Sequence, residues 1–339
     1  MLTDFISLLG GLMLLVLAGD IMVRGAVSIA EALGIPAIVI GLTVVAFGTS
    51  APEMFISLSA AFDNAGGIAI GNVVGSNVAN VLLILGIPSL IAFTSCDEPG
   101  ALRSAFFMMG VSVIFAILCA SGELSLLAGG ILLVLLAVFL ADTARTVLSA
   151  RGSKRAAYEA QATGDEADHD AVSLGLADQL DGVPSNTLVA CLFLAGGLIG
   201  LPAGAHFTID GAVNLARVWG VSETAIGQTI IALGTSLPEL TTTVMAAVRG
   251  QGAVAIGNVI GSNIFNILAI MGVTAAIIPV PVPPEIMVFD IWAMLVSAAL
   301  LLVFTLLKLE ITRPLGVAFI LLYVSYIYLV FQTGATAGQ

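Results

Sequence analysis

Runs of apolar residues follow one another along almost the whole chain, each long enough to cross a membrane. A transmembrane helix needs about 20 predominantly apolar residues, because lipid offers the backbone no hydrogen-bond partner outside the helix. Ten segments meet this length, with predicted bounds near 4–31, 36–62, 67–92, 104–120, 124–148, 187–216, 222–248, 253–278, 286–307 and 312–332. The pattern therefore predicts an all-α polytopic membrane protein with ten transmembrane helices.

One long polar stretch, residues 150–184, interrupts this pattern. It is rich in Ala, Gly, Asp and Ser, which is typical of a flexible linker. Its acidic run at 165–170 matches no register of an EF-hand calcium loop. The linker at 150–184 therefore divides the chain into five predicted helices at 1–149 and five more at 185–339.

A long ungapped repeat relates these two halves. Residues 41–53, GLTVVAFGTSAPE, match residues 227–239, GQTIIALGTSLPE, at an offset of 186 positions. At the same offset, AIGNVVGSNVANVLLILG at 69–86 matches AIGNVIGSNIFNILAIMG at 255–272. Because five spans is an odd number, the second half should enter the membrane in the opposite direction from the first. We therefore predict two inverted five-helix repeats, an architecture common among secondary transporters.

Basic residues are distributed unequally between the predicted connections. If the linker is cytoplasmic, most of the ten Lys and Arg residues lie on the cytoplasmic side, and Arg217 alone lies outside. The positive-inside rule then places both termini outside the cytoplasm and the protein in the cell (inner) membrane. No basic residue precedes the first apolar run, which argues against a cleavable signal peptide.

The composition narrows the possible classes of protein. Hydrophobic residues make up 59% of the chain and charged residues only 9%, so its expected surroundings are the lipid bilayer. The net charge of −12 and the small number of basic residues exclude a nucleic-acid-binding surface. Cys96, Cys119 and Cys191 are widely spaced, and we expect small buried side chains rather than a disulfide. Nothing in the sequence indicates a cofactor or an obligatory protein partner.

Each repeat places one carboxylate, Glu53 or Glu239, directly after a proline inside an apolar run. Pro52 lacks an N–H group and its ring crowds the carbonyl of Gly48, so the helix should break there, and Pro238 should act likewise. An acidic group at the centre of a membrane helix costs about 2.5–3.5 kcal/mol, which favours a functional role. Freed carbonyls, hydroxyls and two carboxylates would together suit a hard cation.

The second repeated block adds neutral polar groups. Ser76 and Asn80 are four residues apart and share one helical face, as do Ser262 and Asn266. Their hydroxyls and amides could coordinate a cation or hydrogen-bond to a carboxylate. Ligation and simple interhelical hydrogen bonding are equal alternatives for four further residues, Asn72, Asn77, Asn258 and Asn263.

Other polar groups within the predicted spans carry less weight. Asp20 and Arg24 are one helical turn apart and should pair, and the position equivalent to Asp20 in the second half is His206. Three acids lie near span ends and are expected at the membrane interface, namely Asp142, Asp290 and Glu310.

The two GTS-x-PE stretches, each followed by GN-(V/I)-GSN-x-x-N, resemble the paired alpha-repeats of the cation/Ca²⁺ exchanger superfamily, in particular its prokaryotic Na⁺/Ca²⁺ exchanger-like members. The resemblance covers most of the chain. It implies an antiporter, not an enzyme, that exchanges cytoplasmic Ca²⁺ for external Na⁺ by alternating access. It also implies that spans 1 and 6 slide across a core formed by the other eight.

The same resemblance implies roles for individual residues. Glu53 and Glu239 would bind Ca²⁺ together with the carbonyls of Thr49 and Thr235. Asn80 and Asn266 would line the middle of the site. The implied sodium ligands come from Ala46, Thr49, Ser50, Ser76, Ala232, Thr235, Ser236 and Ser262.

The sequence leaves several functions open. In potassium-dependent relatives the position of Asn266 is Asp, whereas both central positions are Asn here, which disfavours K⁺ cotransport. Two carboxylates balance one Ca²⁺, two Na⁺ or two H⁺, so a proton-coupled or K⁺-dependent cation antiporter is the alternative. A flexible oxygen cage suits Ca²⁺ better than Mg²⁺, and the repeats contain no Cys or His for a softer metal. A passive cation channel and an intramembrane protease are more distant alternatives from other classes.

Overall fold

The computed structural model describes residues 1–162, 182–220 and 232–337. Within these ranges the regular secondary structure is helical except for four strands of two residues each. The helices are α1 (Leu2–Leu33), α2 (Ala37–Thr49), α3 (Ala51–Phe62), α4 (Gly66–Ile91), α5 (Ala101–Cys119), α6 (Leu126–Ala162), α7 (Thr187–Val218), α8 (Ala232–Thr235), α9 (Leu237–Val248), α10 (Gly252–Ile277), α11 (Ile286–Leu306) and α12 (Arg313–Ala337). The strands are β1 (Thr94–Ser95), β2 (Glu123–Leu124), β3 (Val280–Pro281) and β4 (Glu310–Ile311).

Eight of the described helices are long and apolar enough to span a membrane, namely α1, α4, α5, α6, α7, α10, α11 and α12. The consecutive helices α2 and α3, bent by 45°, form a ninth candidate at the predicted span 36–62. Of the predicted span 222–248, the structure describes only α8 and α9. The all-helical membrane class is therefore confirmed, while the count of ten stays a prediction.

Helix α6 differs from its prediction at the C-terminal end. It continues to Ala162, whereas the sequence pattern placed the end near 148 and a linker from 150. The sequence RAAYEAQA at 155–162 consists largely of strong helix formers, which explains how a polar extension continues the helix. Most of the rest of the predicted linker, residues 163–181, lies outside the described residues.

Helices α4 and α10 form the centre of the bundle. The most apolar stretch of α4 is 72% buried and that of α10 is 83% buried. In the other six long candidate spans among the described helices, the buried share is 22–33%. Both α10 and α2 contain a π-helical turn, at Asn266–Met271 and Gly41–Val45. The two helices approach closely, since a Cβ added at Gly41 would lie 2.9 Å from the carbonyl oxygen of Val254. The repeated sequence blocks are therefore packed against each other in the core.

Helices α1 and α7 pack along each other in antiparallel directions. Glycines permit this close contact. A Cβ added at Gly25 would lie 2.6 Å from the backbone nitrogen of Leu194, and one added at Gly211 would lie 2.5 Å from that of Leu8. Both distances are shorter than side-chain contacts allow, so these positions admit only glycine without a backbone shift.

Two short antiparallel ladders join the halves at opposite ends of α5. β1 pairs with β4, with Thr94 opposite Ile311, and β2 pairs with β3, with Leu124 opposite Val280. Each ladder links a connection from the first half to one from the second. The ladders therefore tie the outer helices of one half to those of the other.

Candidate functional site

The site begins at two helix breaks. Helix α2 ends at Thr49 and α3 begins at Ala51, and the residue between them, Ser50, has φ −82° and ψ 7°. Ser236 separates α8 from α9 with nearly the same angles, φ −86° and ψ 6°. The sequence predicted breaks at the glycines two residues earlier. Pro52 is tolerated in the first turn of α3, and the clash between its ring and the preceding turn is relieved at Ser50.

Both candidate carboxylates are buried in the first turn of a helix. Glu53 in α3 and Glu239 in α9 are each 1% exposed. The positive end of the helix dipole favours a negative charge at this position. No Lys or Arg pairs with either carboxylate among the described residues. Two buried negative charges without a counter-charge are costly, which indicates a site built to receive a cation.

Hydroxyl groups connect each carboxylate to the opposite half. Ser50 donates a hydrogen bond to Oε1 of Glu239 at 3.0 Å, and Ser236 donates to Oε1 of Glu53 at 3.5 Å. The two bonds are equivalent, because both the two serines and the two glutamates are 186 residues apart in the repeat. The structure thus brings both predicted carboxylates and both predicted serines into one buried cluster.

Two asparagines hold the backbone beside the carboxylates. Asn72 donates from Nδ2 to the carbonyl of Glu53 at 3.2 Å and to Oγ of Ser57 at 2.9 Å. At the equivalent positions, Asn258 donates to the carbonyl of Glu239 at 3.4 Å and to Oγ1 of Thr243 at 3.1 Å. For this pair, whose roles the sequence left open, the geometry favours interhelical hydrogen bonding.

Several buried oxygen atoms of the predicted ligands have no hydrogen-bond partner within the described part of the chain. They are Oε2 of Glu53, Oε2 of Glu239, Oδ1 of Asn80, Oδ1 of Asn266 and Oγ of Ser262. A buried polar atom is normally paired, so five unpaired oxygens in one set of predicted ligands call for an explanation. An all-oxygen set with two negative charges has the chemistry that Ca²⁺ and Na⁺ require.

Most of the remaining predicted ligands are buried. Thr49 is fully buried, and its Oγ1 lies 3.3 Å from both the carbonyl of Ala46 and Oδ1 of Asn258. Ser76 and Thr235 are buried as well. Ala232 begins α8, and its side chain lies outside the described ones. Their roles as ligands stay predictions.

Groups outside the cluster follow the sequence analysis with two differences. Asp20 pairs with Arg24 at 2.7 Å as expected, and it also pairs with Arg249 at the end of α9, which the sequence analysis missed. Cys96 and Cys119 are buried as predicted, but Cys191 is exposed on α7, so that expectation was wrong. The described ranges contain no group of three or more His, Cys, Asp or Glu that could hold a metal. The candidate site therefore relies on two carboxylates and neutral oxygens.

Sequence analysis missed two methionines near the cluster. Sδ of Met294 lies 3.8 Å from Nδ2 of Asn77, and Sδ of Met108 lies 3.5 Å from Nδ2 of Asn263. Met108 and Met294 are separated by the same 186 positions as the repeat. This offset could have identified the pair from the sequence. However, both methionines lie outside the two repeated blocks and match only as single residues.

Two buried carboxylates at helix breaks, within a polytopic helical bundle, are typical of an ion-translocating membrane protein. The family model described as "Sodium/calcium exchanger protein" matches residues 3–142 and 189–332. The chain belongs to this family, whose members are membrane antiporters rather than enzymes.

Individual relatives match along nearly the whole chain. The putative antiporter CaxA of Alkalimonas amylolytica is 34% identical to this chain, and the match covers 98% of this chain and 100% of CaxA. The sodium/calcium exchanger MaX1 of Methanosarcina acetivorans is 33% identical, with 97% and 98% covered. The solved structure of the sodium-calcium exchanger NCX_Mj soaked with zero Na⁺ and Ca²⁺ superposes with a TM-score of 0.79, 29% identity, and 96% and 98% coverage.

Proposed function

We propose that this protein is a secondary active antiporter that exchanges cytoplasmic Ca²⁺ for external Na⁺ across the cell (inner) membrane. The observation that carries the proposal is the pair of buried carboxylates, Glu53 and Glu239, each bonded by a serine of the opposite half and each with one unpaired oxygen. The names of MaX1 and NCX_Mj, which both state sodium/calcium exchange, support the choice of ions.

The charge of the site supports exchange rather than cotransport. Glu53 and Glu239 together balance one Ca²⁺ or two Na⁺, so the two ions compete for the same negative charge. A third Na⁺ would depend on the dipoles of carbonyl, hydroxyl and amide oxygens. The proposed ligands are Glu53, Glu239, Ala46, Thr49, Ser50, Ser76, Asn80, Ala232, Thr235, Ser236, Ser262 and Asn266.

We propose ten spans arranged as two inverted repeats at 1–149 and 185–339, joined by a cytoplasmic linker at 150–184. Three observations support this arrangement. The equivalent helices α1 and α7 run antiparallel. The ladder β1–β4 is the counterpart of the ladder β2–β3, because the repeat relates β1 to β3 and β4 to β2. The hydrogen bonds of Asn72 to Glu53 and of Asn258 to Glu239 are equivalent too. With the linker inside, both termini are extracytoplasmic.

Labelling of a Ser121→Cys variant tests this orientation. The reagent is a membrane-impermeant thiol reagent, and it is applied to intact cells.

Alternating access is the proposed mechanism. Helices α1 and α7 contact each other along their lengths, and glycine contacts of this kind leave the pair able to move as a unit. We propose that the α1–α7 pair slides across the other helices and exposes the carboxylates to one side at a time. Bound Ca²⁺ or Na⁺ would neutralise the two carboxylates before the apolar α1–α7 pair slides past them.

Uptake of Ca²⁺ into proteoliposomes tests the proposed coupling. Vesicles are loaded with Na⁺, K⁺ or choline, at equal or unequal pH, and diluted into Ca²⁺. We expect Ca²⁺ uptake only into the Na⁺-loaded vesicles. Uptake driven by a pH or K⁺ gradient would instead identify the alternative proton-coupled or K⁺-dependent antiporter, and uptake into choline-loaded vesicles would indicate a passive channel.

A further inference from the structure

A second layer of amides lies directly behind the candidate ligands Asn80 and Asn266. Nδ2 of Asn80 donates to Oδ1 of Asn263 at 2.9 Å, and Nδ2 of Asn266 donates to Oδ1 of Asn77 at 3.0 Å. All four asparagines are at most 2% exposed. Each half thus supplies one ligand amide and the amide that supports the ligand of the other half.

The supporting amides are themselves oriented by thioethers. Nδ2 of Asn77 lies 3.8 Å from Sδ of Met294 on α11, and it also donates to the carbonyl of Asn263 at 3.3 Å. A thioether accepts weakly and cannot donate a hydrogen bond. The carbonyl of Asn263 and the sulfur of Met294 both accept, so the NH₂ end of Asn77 faces them and its oxygen faces Asn266.

The second half of the arrangement is equivalent. Nδ2 of Asn263 lies 3.5 Å from Sδ of Met108 on α5, and its oxygen accepts from Asn80. The result is two chains of fixed polarity. Each runs from a sulfur through two amides and ends in an amide oxygen, Oδ1 of Asn80 or of Asn266, that is buried and unpaired.

An amide can present either an oxygen or an NH₂ group, and only the oxygen attracts a cation. Asn72 and Ser76 lie one turn apart on the face of α4 that meets Glu53, and Asn80 follows on the next turn. We propose that Asn77 and Asn263, oriented by Met294 and Met108, are positioning residues for ion binding. They hold the amides of Asn266 and Asn80 with the oxygen toward the cation. This inference rests on the proposed function.

A double-mutant cycle tests the proposal, with Ca²⁺ and Na⁺ binding to the purified protein measured by titration calorimetry. Asn77→Leu should weaken binding of both ions on the order of tenfold, as outer partners of metal ligands do, with little change in Tm. In an Asn266→Asp background the same substitution should have no further effect, because a carboxylate presents oxygen in both orientations. A role for Asn77 in packing alone would weaken binding equally in both backgrounds and would overturn the proposal.

Methionine variants provide a second test if Asn77→Leu fails to fold. Met108→Leu keeps the volume of the side chain and removes the sulfur that accepts from Asn263. It should therefore weaken cation binding several-fold in the wild type and not in an Asn80→Asp background. Met109→Leu, the control, changes a methionine outside the two chains and should leave binding unchanged. Equal affinities for Met108→Leu and Met109→Leu would overturn the proposal.

The outcome is distinguishable from a failure of the proposed function. If the wild type binds Ca²⁺ but a Na⁺ gradient does not drive its uptake, the coupling is wrong and the double-mutant cycle still judges the positioning role. If the wild type binds neither ion, both proposals are overturned.

Discussion

At the scale of single residues, the site depends on hydrogen bonds that cross between the halves. Each carboxylate has one oxygen fixed by a serine and one oxygen without a partner among the described residues. A fixed Oε1 restricts the rotation of the carboxyl group and leaves the buried Oε2 available to a ligand. Such preorganisation lowers the cost of ordering the ligands when a cation binds.

Serine-to-alanine variants test this role. Ser50→Ala removes a 3.0 Å bond to Glu239, and Ser236→Ala removes a 3.5 Å contact with Glu53, so Ser50→Ala should have the larger effect. Loss of a partner that orients a metal ligand typically weakens metal binding about 10- to 100-fold, so we expect Ser50→Ala to lose Ca²⁺ affinity roughly tenfold. Ser89→Ala is the control, because its hydroxyl bonds only to the Gly86 carbonyl of its own helix. Equal Ca²⁺ affinities for all three variants would contradict this role.

The residues of the site were largely predictable from the sequence, but their partners were not. The doubled motif identified Glu53 and Glu239 because an acid beside a proline in an apolar run has few structural explanations. The pairing of Asn77 with Asn266 depends on where α4 and α10 cross. Helical periodicity assigns faces within one helix and carries no information on that crossing.

At the scale of helices, the middle of α1 contacts α9 closely. Asp20 of α1 pairs with Arg249 at the end of α9, and a Cβ added at Gly19 would lie 3.0 Å from Cγ2 of Thr241. If α1 and α7 slide during transport, these contacts must break and re-form in every cycle. A covalent link at this point should therefore stop the cycle.

A disulfide between Gly19→Cys and Thr241→Cys tests the proposed sliding. In a background carrying Cys191→Ser, which removes the exposed native cysteine, oxidation should abolish Na⁺-dependent Ca²⁺ uptake and reduction should restore it. Each single-cysteine variant serves as a control and should be insensitive to the oxidant. Full uptake by the cross-linked protein would show that α1 and α9 do not separate during transport.

The helices themselves were predicted well, and their ends less well. A run of apolar residues fixes the existence of a span, since lipid tolerates little else. It does not fix where a polar extension stops, and α6 continues to Ala162 through residues with high helix propensity. The break before Pro52 was also displaced from Gly48 to Ser50, because a proline constrains a whole turn and the sequence does not say which residue of that turn bends.

At the scale of the whole molecule, the two halves enclose a negative site that is costly unless a cation occupies it. The most buried of the long described helices, α4 and α10, lie at the centre, and the two strand ladders connect the halves at opposite ends of α5. Because the same two carboxylates would receive Ca²⁺ or Na⁺, binding of one ion should exclude the other. In the proposed mechanism, this competition would couple the two fluxes without a second site.

The central claim is tested most directly by equilibrium Ca²⁺ binding to the purified protein as the Na⁺ concentration is raised. In the wild type the apparent Kd for Ca²⁺ should rise with about the second power of the Na⁺ concentration or more steeply, since at least two Na⁺ are needed to balance the charge of one Ca²⁺. Glu53→Gln and Glu239→Gln should each weaken Ca²⁺ binding about a hundredfold or more in a folded protein, while Glu123→Gln, at an exposed strand, should leave it unchanged. Ca²⁺ binding at the wild-type level in either site variant, or wild-type binding indifferent to Na⁺, would contradict the account.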